Sequence, residues 1–408
     1  MKGPSIDIPG FQFAGIAAGI KESRLSDLAL IRSEPPAMVV GAFTENFVQA
    51  APVLVSKKNI RSGFCSAVII NSGNANACTG RRGVRDAEKM IEVTARSLKV
   101  PSRQVLVCST GKIGVPLPVD RIVRGISKAV HSLDQRKMIA AARAILTTDK
   151  GAKVAFASGR IGGKKFHLAG FAKGAGMIEP HMATMLAFLM TDLSIERRLL
   201  NGIFYESLDQ TFNRITVDGD TSTNDTILLM ANGVARNQKI SPNSEEAKLF
   251  QTLLGQVMES LALQIVRDGE GATKCVRIEV RGARNDKEAK GACYAIGNSP
   301  LVKTAFYGED PNWGRVLAAA GRAGLPRQSI AKAGATLAPE KTDIYYDKTC
   351  LVRRGETTGL KNERKAARVM RKKEWNLTMD LHLGRGVFWI YASDLSLNYV
   401  KLNSHYRT

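Results

Sequence analysis

The sequence reads as a mixed α/β protein built in layers. Helical and strand patterns are interspersed along all 408 residues. They lack the strict strand–helix–strand alternation of a doubly wound sheet, so a layered αββα arrangement with a smaller C-terminal subdomain fits at least as well. No internal repeat of solenoid or propeller length is present, and no low-complexity linker divides the chain. Hydrophobic residues make up 44% and charged residues 24%, values ordinary for a globular protein. The length suffices for two domains or one large α/β unit.

The elements follow in order. Leu28–Ile31 and Met38–Phe43 read as two strands separated by the turn formers Glu34-Pro35-Pro36. Ala67–Ile70 is a short buried strand running into the amide-rich loop Asn71–Ala77. Val84–Leu98 has helical spacing. Gln104–Cys108 is a strand that opens into Ser109-Thr110-Gly111-Lys112-Ile113-Gly114. Arg121–Val130 and Asp134–Leu146 read as helices, the second ending in Thr147-Thr148-Asp149. Lys153–Phe156 and Lys165–Ala169, joined through Gly159 to Gly163, form a hairpin. Met185–Met190 is a buried strand. Ser194–Phe212 is a helix capped by Ser194. Ser244–Val266 is a long helix, Cys275–Val280 a strand, Asp286–Ile296 a helix and Val316–Arg322 a small-residue helix. The tail alternates over Trp375–Leu383, Val387–Ala392 and Tyr399–Leu402. Charge rises past Ala338, which marks the expected start of the smaller subdomain.

Composition removes several classes. The six cysteines are scattered, with no CxxC pair, which favours free thiols over disulfides or zinc. No apolar run reads as long enough to span a bilayer, and the N-terminus lacks a signal-peptide core. A cytoplasmic protein with no membrane partner is expected. The formal net charge of +22 suits a nucleic-acid partner, but the basic residues are dispersed. Their densest cluster, Asn362 to Glu374, has the spacing of a solvated amphipathic helix. No nucleic-acid-binding signature is present, so no nucleic-acid partner is expected.

The stretch Lys173 to Asp192 carries the most chemistry. A glycine turn (Lys173-Gly174-Ala175-Gly176) leads through Pro180 to Ala183-Thr184 and then to the apolar strand. That places a hydroxyl at a strand edge next to a backbone carbonyl. Attack of Thr184 Oγ on the Ala183 carbonyl would cut the chain. The new α-amine, with an ordinary pKa of about 7.7–8.0, would then serve as base for its own hydroxyl. Alone, the residues fit better a threonine that simply opens a buried strand.

Other loops have both plain and chemical readings. Thr110-Gly111 can aim a hydroxyl and a backbone N–H at one oxyanion, or be an ordinary glycine turn. Asp218, Asp220 and Asp225 could hold Mg²⁺ or Ca²⁺, but they lack EF-hand spacing and read more simply as a hydrogen-bonded turn network. The sequence gives no metal site and no cofactor. Glu270 lies between Gly269 and Gly271, an arrangement that presents one carboxylate from a tight bend or is a plain surface turn.

Taken together, these loops are more specific than any one of them. Asn71–Gly80 (NSGNANACTG), Ser109–Gly114, Thr147–Asp149, Lys173–Leu186 (KGAGMIEPHMATML), Asp218–Asp225 (DGDTSTND), Arg267–Lys274 (RDGEGATK), Tyr307–Arg315 and the terminal YVKLNSHYRT occur in order and span nearly the whole chain. In this set the chain resembles the ornithine acetyltransferase family, the glutamate N-acetyltransferases of arginine biosynthesis. The resemblance implies an αββα sandwich of the DmpA/ArgJ-like type. It implies self-cleavage between Ala183 and Thr184, giving an α chain of residues 1–183 and a β chain of residues 184–408. Two of each would form a heterotetramer. Thr184 would take acetyl from N2-acetylornithine and pass it to glutamate. Thr110 and Gly111 would form the oxyanion hole. Thr147 (or its neighbour Thr148), Lys173, Thr184, Glu270, Asn403 and Thr408 would bind substrate. These residue types suit the ligands, since lysine and hydroxyls pair with carboxylates and a glutamate with an amine. Glu179 and His181 match no functional position, and Ser393 stands where the family often has cysteine. The sequence leaves open whether acetyl-CoA also serves as donor. A self-processing hydrolase of related fold, with water as acceptor, is the rival reading.

Overall fold

The computed structural model describes residues 7–179, 185–323 and 337–405. It divides into two compact units. Among the described residues the first comprises 7–179, 185–213 and 220–265, and the second 214–219, 266–323 and 337–405. The smaller C-terminal unit therefore starts inside a helix, well before the charge change at Ala338.

In the first unit the strands are β1 (Phe11–Ile16), β2 (Leu28–Phe43), β3 (Phe64–Asn74), β4 (Val105–Lys112), β5 (Lys153–Ile161), β6 (Lys164–Lys173), β7 (Leu186–Thr191) and β9 (Thr226–Ala231). Among the described residues they form one sheet in the order β4-β3-β2-β9-β7-β6-β5, with β1 on β2. β3 and β4 are parallel, so they need a crossover, supplied by helix α2 (Gly80–Leu98). Their residues alternate between two cores. Val68, Ile70, Leu106 and Cys108 face one. Ala67, Ile69, Val105 and Val107 face the other, packed under α2 and α3 (Val119–His131). Burial on both faces explains why these strands read as unbroken apolar runs.

The two expected strands Leu28–Ile31 and Met38–Phe43 are one element. β2 continues through a bulge between Arg32 and Ala37, which absorbs the two prolines without ending the pairing. Its first half pairs with β1 and β3, its second half with β9. Register puts Leu28 beside Asn71 and Phe43 beside Thr226, at opposite ends of β2. Yet the loop before Thr226 hydrogen-bonds to Ser109 at the end of β4. The sheet must therefore curl back on itself, and the bulge lies where β2 passes from one half to the other.

The hairpin β5–β6 turns at Gly162 and Gly163, both at positive φ. Helix α6 (Glu245–Arg267) packs on it. Phe250 meets Phe166 edge to face, and the Gln264 amide joins the Val154 backbone in both directions. By length and composition alone α6 is apolar enough to cross a membrane, a test that a buried core helix passes as well. Phe250, Leu254, Val257, Met258 and Leu261 of this helix are buried in the protein. Two further helices differ from expectation. The expected Asp134–Leu146 helix is confined to a short turn and α4 (Met138–Ala144). The helix after β7 is α5 (Arg197–Gln210), with Glu196 at its N-cap; Ser194 instead bonds to Asn237.

The second unit has β8 (Ile215–Thr216), β10 (Cys275–Ala283), β11 (Asp343–Tyr346), β12 (Thr349–Arg353), β13 (Glu356–Thr357), β14 (Glu374–Asp380) and β15 (Gly386–Ser393). The sheet order is β13-β12-β11-β14-β10-β15-β8. Its core joins these strands to α7 (Asp286–Gly297), α8 (Pro300–Tyr307) and α9 (Trp313–Ala320). The cluster Asn362 to Glu374 falls mainly on a helix, Leu360–Met370, as its spacing predicts. The alternating tail after Leu397 is a helix too, Leu397–His405.

Candidate active site

Thr110 and Lys173 meet in the first unit. Lys173 Nζ donates to Thr110 Oγ1 at 3.3 Å, and the two residues are 7% and 4% exposed respectively. They come from different ends of the sheet. Thr110 lies near the end of β4, and Lys173 is the last residue of β6. Because its Oγ1 accepts from Lys173, the Thr110 hydroxyl keeps its own proton to donate. Next to it, Gly111 has φ +131°, and a Cβ there would lie 2.4 Å from the Gly73 carbonyl carbon. Gly111 and Gly73 are register partners, so only glycine lets the two strand ends approach this closely.

Beside this pair lies Asp149, the last residue of the Thr147-Thr148-Asp149 loop. Its side chain is fully covered and accepts from Lys153 Nζ at 2.7 Å. It also accepts from the backbone N–H of Gly174 at 2.7 Å and of Thr147 at 3.0 Å. Lys173 Nζ is 3.9 Å away. Burial works to raise its pKa, but the ammonium groups of Lys173 and Lys153 overcome that and hold it well below the ordinary carboxylate range. Asp149 thus ties the Thr147 loop to the glycine turn after β6. Thr147 itself contributes this backbone contact.

The DGDTSTND loop closes the other side. Asn224 Nδ2 donates to the carbonyls of Ala75 at 2.7 Å and Ser109 at 2.9 Å. Ser109 Oγ donates to Asn71 Oδ1 at 2.6 Å. Three loops are stitched together in this way, and all of these side chains are buried. Asp225 accepts from the backbone N–H of Met185 at 2.8 Å, while Met185 O accepts from Thr226 N at 3.1 Å. Leu186, the next residue, is the register partner of both Lys173 and Thr226. The residue that follows Thr184 in the chain is thereby anchored at the Lys173 end of β6. Ala183, Thr184 and Thr408, with Pro180 and His181, lie outside the described residues.

Glu270 and Asn403 meet in the second unit. Asn403 Nδ2 donates to Glu270 Oε2 at 2.8 Å. Glu270 is 8% exposed. The bend holding it is tight: Gly271 has φ +69°, and a Cβ there would lie 2.4 Å from the Tyr399 nitrogen. Ser396 Oγ donates to Gly271 O, and Asp394 accepts from the backbone of Thr273 and Lys274. Two of the three carboxylates expected to form one turn network have separate partners instead. Asp218 accepts from Tyr399 Oη and belongs to the second unit, whereas Asp225 serves Met185 in the first, and Asp220 is exposed. A cavity of about 830 Å³ in the second unit, lined in part by Arg277, Lys372 and Tyr391, contains none of the predicted site residues. Its Arg277 and Lys372 are paired with Glu279 and Asp347.

Sequence reasoning assigned no role to Asp149, Lys153, Asn71, Ser109 or Asn224. All of them sat in or beside loops it had singled out. The available signal was a run of small and amide residues at a strand end, which marks backbone that needs side-chain partners.

The ArgJ family profile matches residues 12–408. The chain belongs to the ArgJ family. Among curated members, the arginine biosynthesis bifunctional protein ArgJ of Geobacter sulfurreducens is 48% identical over 403 residues, covering 99% of this chain and 100% of that protein. The protein of the same description from Caldanaerobacter subterraneus is 43% identical over 411 residues, covering 99% and 98%. Among solved structures, the Bacillus halodurans ArgJ crystal structure is 39% identical with a TM-score of 0.50, covering 55% of this chain and all of that one. ArgJ membership makes the chain an enzyme, in place of the nucleic-acid-binding module its charge alone would allow.

Proposed function

We propose that this enzyme transfers an acetyl group from N2-acetylornithine to glutamate through an ester on Thr184, and that it first cuts itself between Ala183 and Thr184. One observation supports this most directly. The buried Thr110–Lys173 pair stands at the sheet position to which the residue after Thr184 is anchored. In the first step Thr184 Oγ attacks the Ala183 carbonyl carbon. The peptide bond gives way to an ester, water hydrolyses the ester, and the α-amine of Thr184 is freed. That amine then takes the proton of its own hydroxyl as Oγ attacks the acetyl carbonyl of N2-acetylornithine. The negative charge on the tetrahedral oxygen falls to the Thr110 hydroxyl and the Gly111 N–H. Collapse expels the ornithine amine, which takes the proton back, and leaves acetyl-Thr184. Glutamate's amine repeats the sequence in reverse and departs as N-acetylglutamate.

Lys173 and Thr147 are the carboxylate partners in this reading, and Glu270 and Asn403 pair with the ornithine side-chain ammonium. Thr408 adds a contact from the C-terminus. The description of the relatives as bifunctional favours acetyl-CoA as a second donor. The two chains, residues 1–183 and 184–408, would assemble as a heterotetramer in the cytoplasm, which light scattering can test.

Intact mass under denaturing conditions tests the cleavage. Wild type should give two fragments meeting at Ala183/Thr184, and Thr184→Ala a single chain. A single uncut chain in active wild type removes the α-amine base and defeats the mechanism. Measured acetyl transfer to glutamate, against hydrolysis of N2-acetylornithine, separates a transferase from a hydrolase.

A further inference from the structure

Lys21 has no role in the reading above. It sits on the loop between β1 and β2, which is built around one carboxylate. Asp27 is fully buried and accepts from the backbone N–H of Ala18 at 2.6 Å, Ile20 at 2.6 Å and Lys21 at 3.0 Å. Arg121 adds a bond to Gly19 O at 2.7 Å. The loop is thus fixed from within and from helix α3. It delivers the Lys21 stem onto the glycine seam of the site. A Cβ on Gly73 would meet Lys21 Cγ at 3.0 Å, and Gly73 is the register partner of Gly111. Lys21 Nζ gives one proton to Ser26 O at 2.9 Å. An ammonium has three protons to donate.

The charge of Lys21 acts on the same cluster. Burial lowers its pKa most strongly; Asp27 favours its charge, Lys173 disfavours it and Asp149 favours it, with a net pKa below the ordinary lysine value. Neither carboxylate is given over to Lys21. Asp27 is taken up by three backbone amides, and Asp149 by Lys153 and two amides. The Lys173 charge disfavours that of Lys21, and an anion arriving beside the two would favour both.

The proposed substrates differ in this respect. N2-acetylornithine carries one carboxylate, and glutamate carries two. We propose that Lys21 binds the side-chain carboxylate of glutamate, the group the donor lacks, and so sets the choice of acceptor. This rests on the acetyl-transfer reading and adds a residue to it.

The test compares Lys21→Met and Lys21→Arg with wild type in two assays. Exchange of labelled ornithine into N2-acetylornithine reads the donor half-reaction alone. Acetylation of glutamate and of glutamine reads the acceptor half-reaction. In Lys21→Met the preference for glutamate over glutamine should fall on the order of 30-fold, the loss of one charge-assisted hydrogen bond. The fall in kcat/KM for glutamate should exceed that for N2-acetylornithine by at least about tenfold. Lys21→Arg should keep most of the preference. Because the glutamate-to-glutamine ratio is read within one variant, a loss of folded protein cancels from it. An unchanged ratio, or equal losses in both half-reactions, overturns the proposal. Absence of ornithine exchange in wild type defeats the acetyl-transfer reading itself, and this one with it.

Discussion

Asp149 keeps a full negative charge below the surface because two ammonium groups and two backbone amides meet it. Its folded pKa is depressed below the ordinary 3.8. A depressed carboxylate adds stability that is complete above about pH 4 and is lost as the pH falls below that. Asp149→Asn should therefore cost about 3–5 kcal/mol at pH 7, since it strands the buried Lys153 charge. In urea unfolding, the gap between variant and wild type should shrink as the pH is lowered below 4. A gap that stays constant from pH 7 to pH 3 would rule out the ion-pair account. At Thr110 the expected effect is on rate. Thr110→Ala should lower kcat by about 10²–10³-fold with little change in KM, whereas Thr110→Ser should keep most of the activity. Steady-state kinetics on both variants decides it. The sequence marked Thr110, Lys173, Glu270 and Asn403, and two contacts join them, Thr110 with Lys173 and Glu270 with Asn403. It could not mark Asp149 or Asn224 as organisers. Asn224 has a partner 149 positions away and Asp149 one 25 positions away, and a residue's worth in such a network depends on neighbours that the local sequence does not show.

Strand ends set the site, and two glycines show how tightly. At Gly111 an alanine would meet backbone on β3 and take a strained φ. At Gly114, also at positive φ, nothing lies within 4 Å. Gly111→Ala should therefore lose at least about 3 kcal/mol, through overlap added to strain, and Gly114→Ala only about 1 kcal/mol. Thermal unfolding of the pair checks this, and equal losses would mean the strand ends are free to part. Several elements were legible because burial on one or both faces leaves a period in the sequence. The breaks in β2 and the tail were misread for opposite reasons. Two prolines look like an end, but a bulge absorbs them. Leu397–His405 has a weak apolar stripe, which imitates alternation. Helix α8 went unread although it carries a clear start signal: Ser299 caps the Val302 N–H, and Pro300 occupies the first turn.

Across the molecule, burial sorts the six cysteines. Cys78 is exposed, whereas Cys65, Cys108, Cys275 and Cys293 are buried, with no disulfide among the six. Burial pushes the thiols of Cys65, Cys108 and Cys275 up to about 12, so they are scarcely thiolate at neutral pH. Brief maleimide treatment of native protein should label Cys78 first, then the half-buried Cys350. The four buried thiols should react only in denaturant. Early modification of Cys65 or Cys108 in native protein would contradict the packing of the first core. The boundary between the two units was not legible. It falls within the continuous α6, where neither composition nor turn signals change.

The strand order has one more consequence. A break in the backbone ahead of Met185 would assign β1 to β6 to one piece and β7 and β9 to the other. In the sheet, β9 and β7 lie between β2 and β6. The pieces would be interlaced like fingers, along two seams of six residue pairs each. Neither could leave by diffusion alone; one would have to be peeled out of the other, opening the core as it went. The two halves should therefore copurify through high salt and part only in denaturant. Made from two separate genes, they should have to fold together to fold at all.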